Sequence, residues 1–243
     1  MSRFFVDPAD YKPDFMVLTG ENAAHAKVLR IKSGEKVTVC DGVGHACVCV
    51  VSDVSNEQVS LVVKSEQVSS AEPAVVVSVY MAFSKGDKLE HVIQKATELG
   101  ACEIVAFPSA RCVSKPDEKS LSKKIDRWQK IAASAAEQSG RGMIPKVIAL
   151  SSYKDALARA AQADLGVLFY ENEQSTTLRM ALDAGVFSTI ALVTGPEGGL
   201  EEREVDQAIQ TGLKVCTLGK RILRCETAPL CALSAVMYHV GEF

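Results

Sequence analysis

Two stretches near the C-terminus combine glycine with side chains able to do chemistry. One is Thr194-Gly195-Pro196-Glu197-Gly198-Gly199-Leu200, and the other is Leu218-Gly219-Lys220-Arg221-Ile222-Leu223-Arg224-Cys225-Glu226-Thr227-Ala228. Glycine lets backbone approach a ligand closely, because no Cβ intervenes. A glycine-bearing loop is also an ordinary way to leave a strand, so one alone decides little. The second loop adds Arg221, Arg224, Glu226 and Thr227 within a few residues, which favours a site. Neither stretch contains a P-loop, and no G-x-G-x-x-G follows the first strand of the α/β region. A serine nucleophile elbow is missing as well. The chemistry left is that of backbone amides and carbonyls beside apolar Leu200, Leu218, Ile222 and Leu223. Such a lining suits a mostly uncharged, adenine-bearing ligand, with backbone reading the base edge and apolar side chains enclosing the ring. Cys225 is the thiol in these loops, and no histidine lies near it in sequence to activate it.

The elements around these loops follow from hydrophobic periodicity. Short apolar runs at 189–193 and 213–218 precede the two stretches, and helical patterns follow them. Ligands of open α/β sheets sit beyond the C-terminal ends of strands, which is where both stretches fall. From residue 74 onward, strands are expected at 75–81, 102–107, 147–150, 165–170, 189–193 and 213–218. Helices are expected at 88–99, 119–139, 153–161, 176–182, 202–210 and 229–240. This alternation predicts an α/β fold with a parallel sheet covered on both faces. Before residue 68 the pattern is different. Strands are expected at 3–6, 15–18, 35–40, 44–52 and 58–64, with a turn at Asp41-Gly42 and one helix at 21–29 capped by Thr19 or Asn22. That is the pattern of a small barrel. His25, Lys27, Arg30 and Lys32 form a basic patch at the helix end, where cations also suit the helix dipole. The polar, non-periodic run 68–73 ends in proline and reads as a linker. The expected domains are therefore 1–70 and 74–243.

Composition narrows the class. The chain has 243 residues, 47% hydrophobic, with a formal net charge of −3. No apolar run reaches membrane-span length, and the N-terminus lacks the apolar core of a signal peptide, so a cytoplasmic protein with no membrane partner is expected. The eight cysteines include no C-x-x-C pair, and the four histidines are scattered. Reduced, buried thiols and no metal are therefore expected. Residues 81–146 carry 12 basic against 8 acidic side chains in an otherwise acidic chain. A polyanion facing one surface accounts for this, and so does a solvated helix face.

The two C-terminal motifs together resemble those of the RsmE family, the bacterial 16S rRNA uridine-N3 methyltransferases of the SPOUT superfamily. Weaker resemblance runs along the chain. It is carried by Arg3-Phe4-Phe5-Val6, His25-x-x-x-Leu29-Arg30, Lys95-Ala96-Thr97-Glu98-Leu99-Gly100, Trp128-x-x-Ile131, Glu137-Gln138-Ser139-x-Arg141 and Tyr170-Glu171. The resemblance implies a PUA-like β-barrel that binds RNA on 1–70 and a SPOUT α/β (trefoil) knot methyltransferase domain on 74–243. It also implies S-adenosylmethionine as cofactor, 16S rRNA of the small ribosomal subunit as partner, and a homodimer whose subunits build the site together. Carried over by position, cofactor contacts fall on Leu168, Tyr170, Glu171, Thr194, Gly195, Glu197, Gly198, Gly199, Leu218, Gly219, Ile222, Leu223, Thr227 and Ala228. Arg224 or Arg221 would stabilise the anionic uracil. Glu226 or Glu197 would accept the N3 proton if burial raised its pKa, or would serve as a hydrogen-bond acceptor holding the loops. Arg3, His25, Lys27, Arg30, Lys85, Lys88 and Arg141 would contact RNA. The chain departs from the family at Lys220, where proline is usual. It departs again at Leu200-Glu201, which leaves Gly199 as a poorer cap for the next helix.

Overall fold

A computed structural model describes residues 1–68, 71–114 and 116–243. The chain separates into two compact units, Met1–Glu72 with Ala136–Ile144, and Pro73–Ala135 with Pro145–Phe243. The first holds β1 (Arg3–Phe5), β2 (Phe15–Thr19), α1 (Gly20–Val28), β3 (Lys36–Cys40), β4 (His45–Val54) and β5 (Gln58–Val68). They form one sheet in the order β1-β3-β4-β5-β2. Period-2 alternation in β3 and β4 turns Val37, Val39, Cys47, Cys49 and Val51 onto Phe4, Leu18 and Leu61, which make up the core of this unit. Register shifts at Val48/Cys49 and Val51/Asp53 interrupt the β4–β5 ladder. Such bulges bend and twist a strand, and the sheet curls into a half-barrel. The turn at Asp41-Gly42 forms as its composition predicts: Gly42 has φ +77, and the Asp41 carboxylate accepts the amides of Val43 and His45 at 2.9 and 3.1 Å.

Residues Ala136–Ile144 belong to this unit for a reason that composition does not show. Arg141 Nη2 donates to Glu72 Oε2 at 2.7 Å, and the amides of Gly142 and Met143 donate to Glu72 Oε1 at 2.8 and 3.0 Å. Glu72 lies in the stretch read as a linker, yet both its carboxylate oxygens are engaged. Residues 69–70 of that stretch lie outside the described residues.

The second unit contains β6 (Val76–Ala82), α2 (Lys88–Glu98), β7 (Glu103–Phe107), α3 (Glu118–Ser139, whose last turn groups with the first unit) and β8 (Lys146–Ala149). It continues with α4 (Tyr153–Ala160), β9 (Leu165–Phe169), α5 (Leu178–Leu182), β10 (Thr189–Thr194), α6 (Glu202–Thr211), β11 (Lys214–Cys216) and α7 (Thr227–His239). Its sheet is parallel throughout, in the order β11-β9-β10-β6-β7-β8. Covered on both faces, β9 is buried at every position, as an apolar run with no alternation predicts. This is the parallel α/β domain expected, accompanied by the curled N-terminal sheet. Gly100 (φ +97) and Gly212 (φ +99) end α2 and α6 in the left-handed conformation that favours glycine after a helix. Trp128 is buried in α3.

The last elements differ from the sequence expectation. β11 spans three residues rather than six, and α7 starts at Thr227 rather than at Pro229. The residues released from the strand join the loop. α6 is capped by Glu201 rather than Gly199, and its amide donates to the Glu204 carboxylate at 3.0 Å. The chain therefore replaces a hydroxyl cap with a carboxylate in the first turn, where the helix dipole favours negative charge.

Candidate active site

β11, β9 and β10 are neighbours and run parallel, so the loops that follow them emerge at one edge of the sheet. There they enclose a cavity of about 410 Å³. Backbone ties hold the loops together. The Tyr170 amide donates to Cys216 O at 3.1 Å and the Thr217 amide to Thr176 O at 2.8 Å, joining the loops after β9 and β11. Glu173 accepts the amides of Ser175 and Thr176 at 2.7 and 2.9 Å. The Ser175 hydroxyl above all, and these amides with it, pull its carboxyl down to about 2. The Thr217 hydroxyl accepts the Gly219 amide at 3.1 Å, and Gly219 turns with φ +107. The Arg224 carbonyl accepts the amides of Thr227 and Ala228 at 2.8 and 3.0 Å, which starts α7.

The loop after β10 is shaped by close approaches. Gly199 has φ +69, and a Cβ there would overlap Glu171 Oε1. A Cβ on Gly195 would come within 2.9 Å of Leu200 Cγ, a side chain that is fully buried beneath the loop. Without a Cβ, these glycines let the loop pack against Leu200 and Glu171.

Lys88 connects this loop to the next. Its ammonium lies 3.1 Å from Glu197 Oε1 and 3.8 Å from Glu226 Oε2. Glu197 Oε1 also accepts the Lys85 amide at 2.8 Å. Burial pushes the Glu197 carboxyl up, but the Lys85 amide, its own backbone N–H and Lys88 outweigh this and leave it below its ordinary range. Glu226 is likewise held low, first by its own backbone N–H, then by the Cys225 thiol, Lys88 and Arg224. The expectation that burial would turn one of them into a base of raised pKa is therefore corrected. The donors around both carboxylates favour their ionised form. Burial and the hydrogen bond to Glu226 push the Cys225 thiol up to about 12, far from a reactive thiolate.

Most of the residues expected around a cofactor line this cavity: Tyr170, Glu171, Thr194, Gly195, Glu197, Gly199, Leu218, Gly219, Ile222, Leu223 and Ala228, together with Arg221, Arg224 and Glu226. Three do not. Leu168 is fully buried within β9. Gly198 faces Arg111, whose Nη1 donates to the Gly198 carbonyl at 3.1 Å. Thr227 is exposed at the start of α7 and is not among the lining residues. Lys88 and Lys220 belong to the lining instead. No local sequence signal marks Lys88, because its partners lie more than a hundred residues away.

Of the residues expected to meet RNA, Arg141 is buried and occupied by Glu72, and is corrected to a structural ion pair. Lys88 lies between Glu197 and Glu226. In the first unit, His25 Nδ1 lies 3.0 Å from Glu137 Oε1, Arg3 Nη1 donates to Cys40 Sγ at 2.8 Å, and Lys27 donates to the Asn56 carbonyl. Arg30 is the non-glycine residue at positive φ among the described residues, with φ 57. It is exposed beside Val28 and Leu29, which are 79% and 43% exposed. Lys85 is exposed on the second unit. All eight cysteines are reduced, with Cys231 exposed rather than buried. Among the described residues no cluster has the makings of a metal site, and no helix is long and apolar enough to cross a membrane.

A parallel α/β unit with this loop geometry, preceded by a curled β unit, defines an RNA methyltransferase: the family model for an RNA methyltransferase domain matches residues 71–237, and that for an RNA methyltransferase PUA domain matches residues 18–64. The chain is 39% identical to the ribosomal RNA small subunit methyltransferase E of Bacillus subtilis, over 98% of this chain and 96% of that one. It is 31% identical, with a TM-score of 0.89, to the same enzyme from Neisseria gonorrhoeae bound to S-adenosyl methionine, covering 100% and 99% of the two chains. A methyltransferase from Legionella pneumophila, in complex with the bound cofactor SAM, aligns over 98% of this chain and 97% of that one at 30% identity and a TM-score of 0.86. This chain belongs to the ribosomal RNA small subunit methyltransferase E family.

Proposed function

We propose that this protein transfers the methyl group of S-adenosylmethionine to N3 of a uridine in small-subunit 16S rRNA, acting as a cytoplasmic homodimer. The observation that carries the reading is the cavity built from the loops after β9, β10 and β11. Its volume lies in the range of small-molecule sites. Its walls offer what a nucleoside cofactor requires: backbone groups at Gly195, Gly199, Leu218 and Gly219, and apolar Leu200, Ile222 and Leu223. Gly195 and Gly199 pack against Leu200 and Glu171, so the loop keeps a path beside the cavity that a Cβ would not allow.

The bound cofactor would supply an electrophilic methyl group on a sulfonium. The chain's residues would supply alignment and electrostatics. A uracil N3–H is a weak acid that stays protonated at neutral pH, so transfer requires the anionic base. Arg221 and Arg224 face the cavity and are exposed, which suits them to stabilise that anion. Glu197 and Glu226 are poor bases because their carboxyls are held low. Loss of the N3 proton to bulk solvent in a prior equilibrium would leave the uracil anion that Arg221 and Arg224 hold for attack. A uridine within folded RNA must be turned out of its stack to enter.

Residues 1–70, extended by 136–144, would dock RNA through Lys27 and Arg30, and residues 74–243 would carry the catalysis, with Lys85 near its rim. A second copy would cover α7. This helix is apolar on all sides and leaves Cys231, Ala235 and Tyr238 exposed, whereas a helix of that kind is normally buried. The test is to incubate the protein with small subunits and methyl-labelled S-adenosylmethionine, digest the rRNA and identify the labelled nucleoside. N3-methyluridine is the expected product. Label in another nucleoside, or none, rejects the reading.

A further inference from the structure

We propose that Lys88 is a positioning residue of the cofactor site, its ammonium bridging Glu197 and Glu226 so that the loops after β10 and β11 keep the arrangement that admits the cofactor. The proposal rests on the S-adenosylmethionine reading above. Lys88 is the first residue of α2, where the positive end of the helix dipole opposes a cation. Asp87, the capping residue, makes no side-chain cap bond that would offset it. Compensation comes from elsewhere in the chain. The ammonium lies 3.1 Å from Glu197 Oε1, 3.8 Å from Glu226 Oε2 and 4.0 Å from Cys225 Sγ. A lysine serving as a phosphate contact would extend into solvent, but this side chain is only 29% exposed and lines the cavity.

The consequence is electrostatic. Glu197 and Glu226 come from different loops and converge on one cation. The other groups facing that cation are the Cys225 thiol and the Lys85 backbone amide on Glu197, with Arg224 beside Glu226. Without the ammonium, two carboxylates remain close together. They would either push the loops apart or take up a proton between them. Lys88 thus ties the start of α2 and the loops after β10 and β11 into one wall of the cavity.

The test is calorimetric titration of S-adenosylmethionine into the full-length protein, using wild type, Lys88→Met, Lys88→Arg and the double variant Lys88→Met/Glu226→Gln. Wild type is expected to bind equally at about pH 6 and about pH 8. Lys88→Met should bind at least about tenfold more weakly at the higher pH and recover partly at the lower, where one carboxylate takes a proton. Lys88→Arg, and the double variant that removes one of the two anions, should lie within about threefold of wild type. RNA affinity and its salt dependence should not change in Lys88→Met. Binding by Lys88→Met within about twofold of wild type, or no rescue in the double variant, overturns the proposal. So does a loss of RNA affinity with a shallower salt slope and intact cofactor binding. If wild type itself binds no S-adenosylmethionine, the reading beneath the proposal fails and the proposal goes with it.

Discussion

Replacing Gly199 with alanine would place a methyl group where Glu171 Oε1 now lies, on a residue whose φ is +69. Two effects can be separated. An L-residue in the left-handed region costs about 1–2 kcal/mol. The overlap adds to this, because Glu171 must move away from the cavity wall it helps to form. If the loop can relieve both only by leaving its present path, the strain is taken from cofactor binding. A loss of 1–2 kcal/mol corresponds to a roughly five- to thirtyfold weaker S-adenosylmethionine affinity. Gly212→Ala is the control. Its φ is +99, no atom lies within 4 Å of the added Cβ, and it caps α6 outside the cavity. It should lower stability by about 1 kcal/mol, a few degrees in Tm, and leave cofactor affinity unchanged. Calorimetric titration and thermal melts of the two variants decide the matter. Gly199→Ala binding within about twofold of wild type would refute the claim that this glycine shapes the site. Equal affinity losses in both variants would show a global effect instead.

Arg141→Met should destabilise the protein by about 3 kcal/mol, because it leaves the Glu72 carboxylate with its strongest partner removed; urea denaturation measures this, and an unchanged midpoint would contradict the buried pair. Maleimide labelling at neutral pH, followed by peptide mapping, should spare Cys225, whose thiol is buried and pushed up to about 12. Glu197 is held below its ordinary value of 4.5, so its contribution is complete above that value and is lost as pH falls through the native one. The stability difference between wild type and Glu197→Gln should therefore be flat from about pH 6 to about pH 8 and shrink in more acidic solution, as denaturation at each pH would show. Lys27→Gln/Arg30→Gln should reduce the slope of log affinity against log salt by about 1–2 units if both contact phosphates, and binding to rRNA fragments across a salt series measures it.

Much of this protein was legible from its sequence, and the misses have physical causes. The parallel sheet could be read because buried strands such as Leu165–Phe169 are apolar without alternation, and glycines mark helix ends at Gly100 and Gly212. The two glycine-rich loops could be read because their glycines and charges are contiguous in sequence. What could not be read depends on partners far apart in the chain. Arg141 looks like a cation available for RNA until Glu72 is placed beside it. Lys88 looks the same until Glu197 and Glu226 converge on it. The pKa directions were missed for the same reason: burial alone would raise Glu197, and the Lys85 amide and the Lys88 ammonium, which reverse the sign, are visible only in three dimensions. Glu201 was missed as the cap of α6 because a hydroxyl was the expectation at that position, and its partner Glu204 lies a turn further on.

The central claim is that this chain methylates N3 of a uridine in 16S rRNA. The most direct measurement is mass spectrometry of small-subunit rRNA nucleosides from cells lacking the gene, compared with the same cells carrying either the wild-type protein or Arg224→Ala. N3-methyluridine should be absent without the gene, return with the wild-type protein, and stay absent with a folded Arg224→Ala. N3-methyluridine persisting in the deletion, or returning fully with Arg224→Ala, would contradict the account.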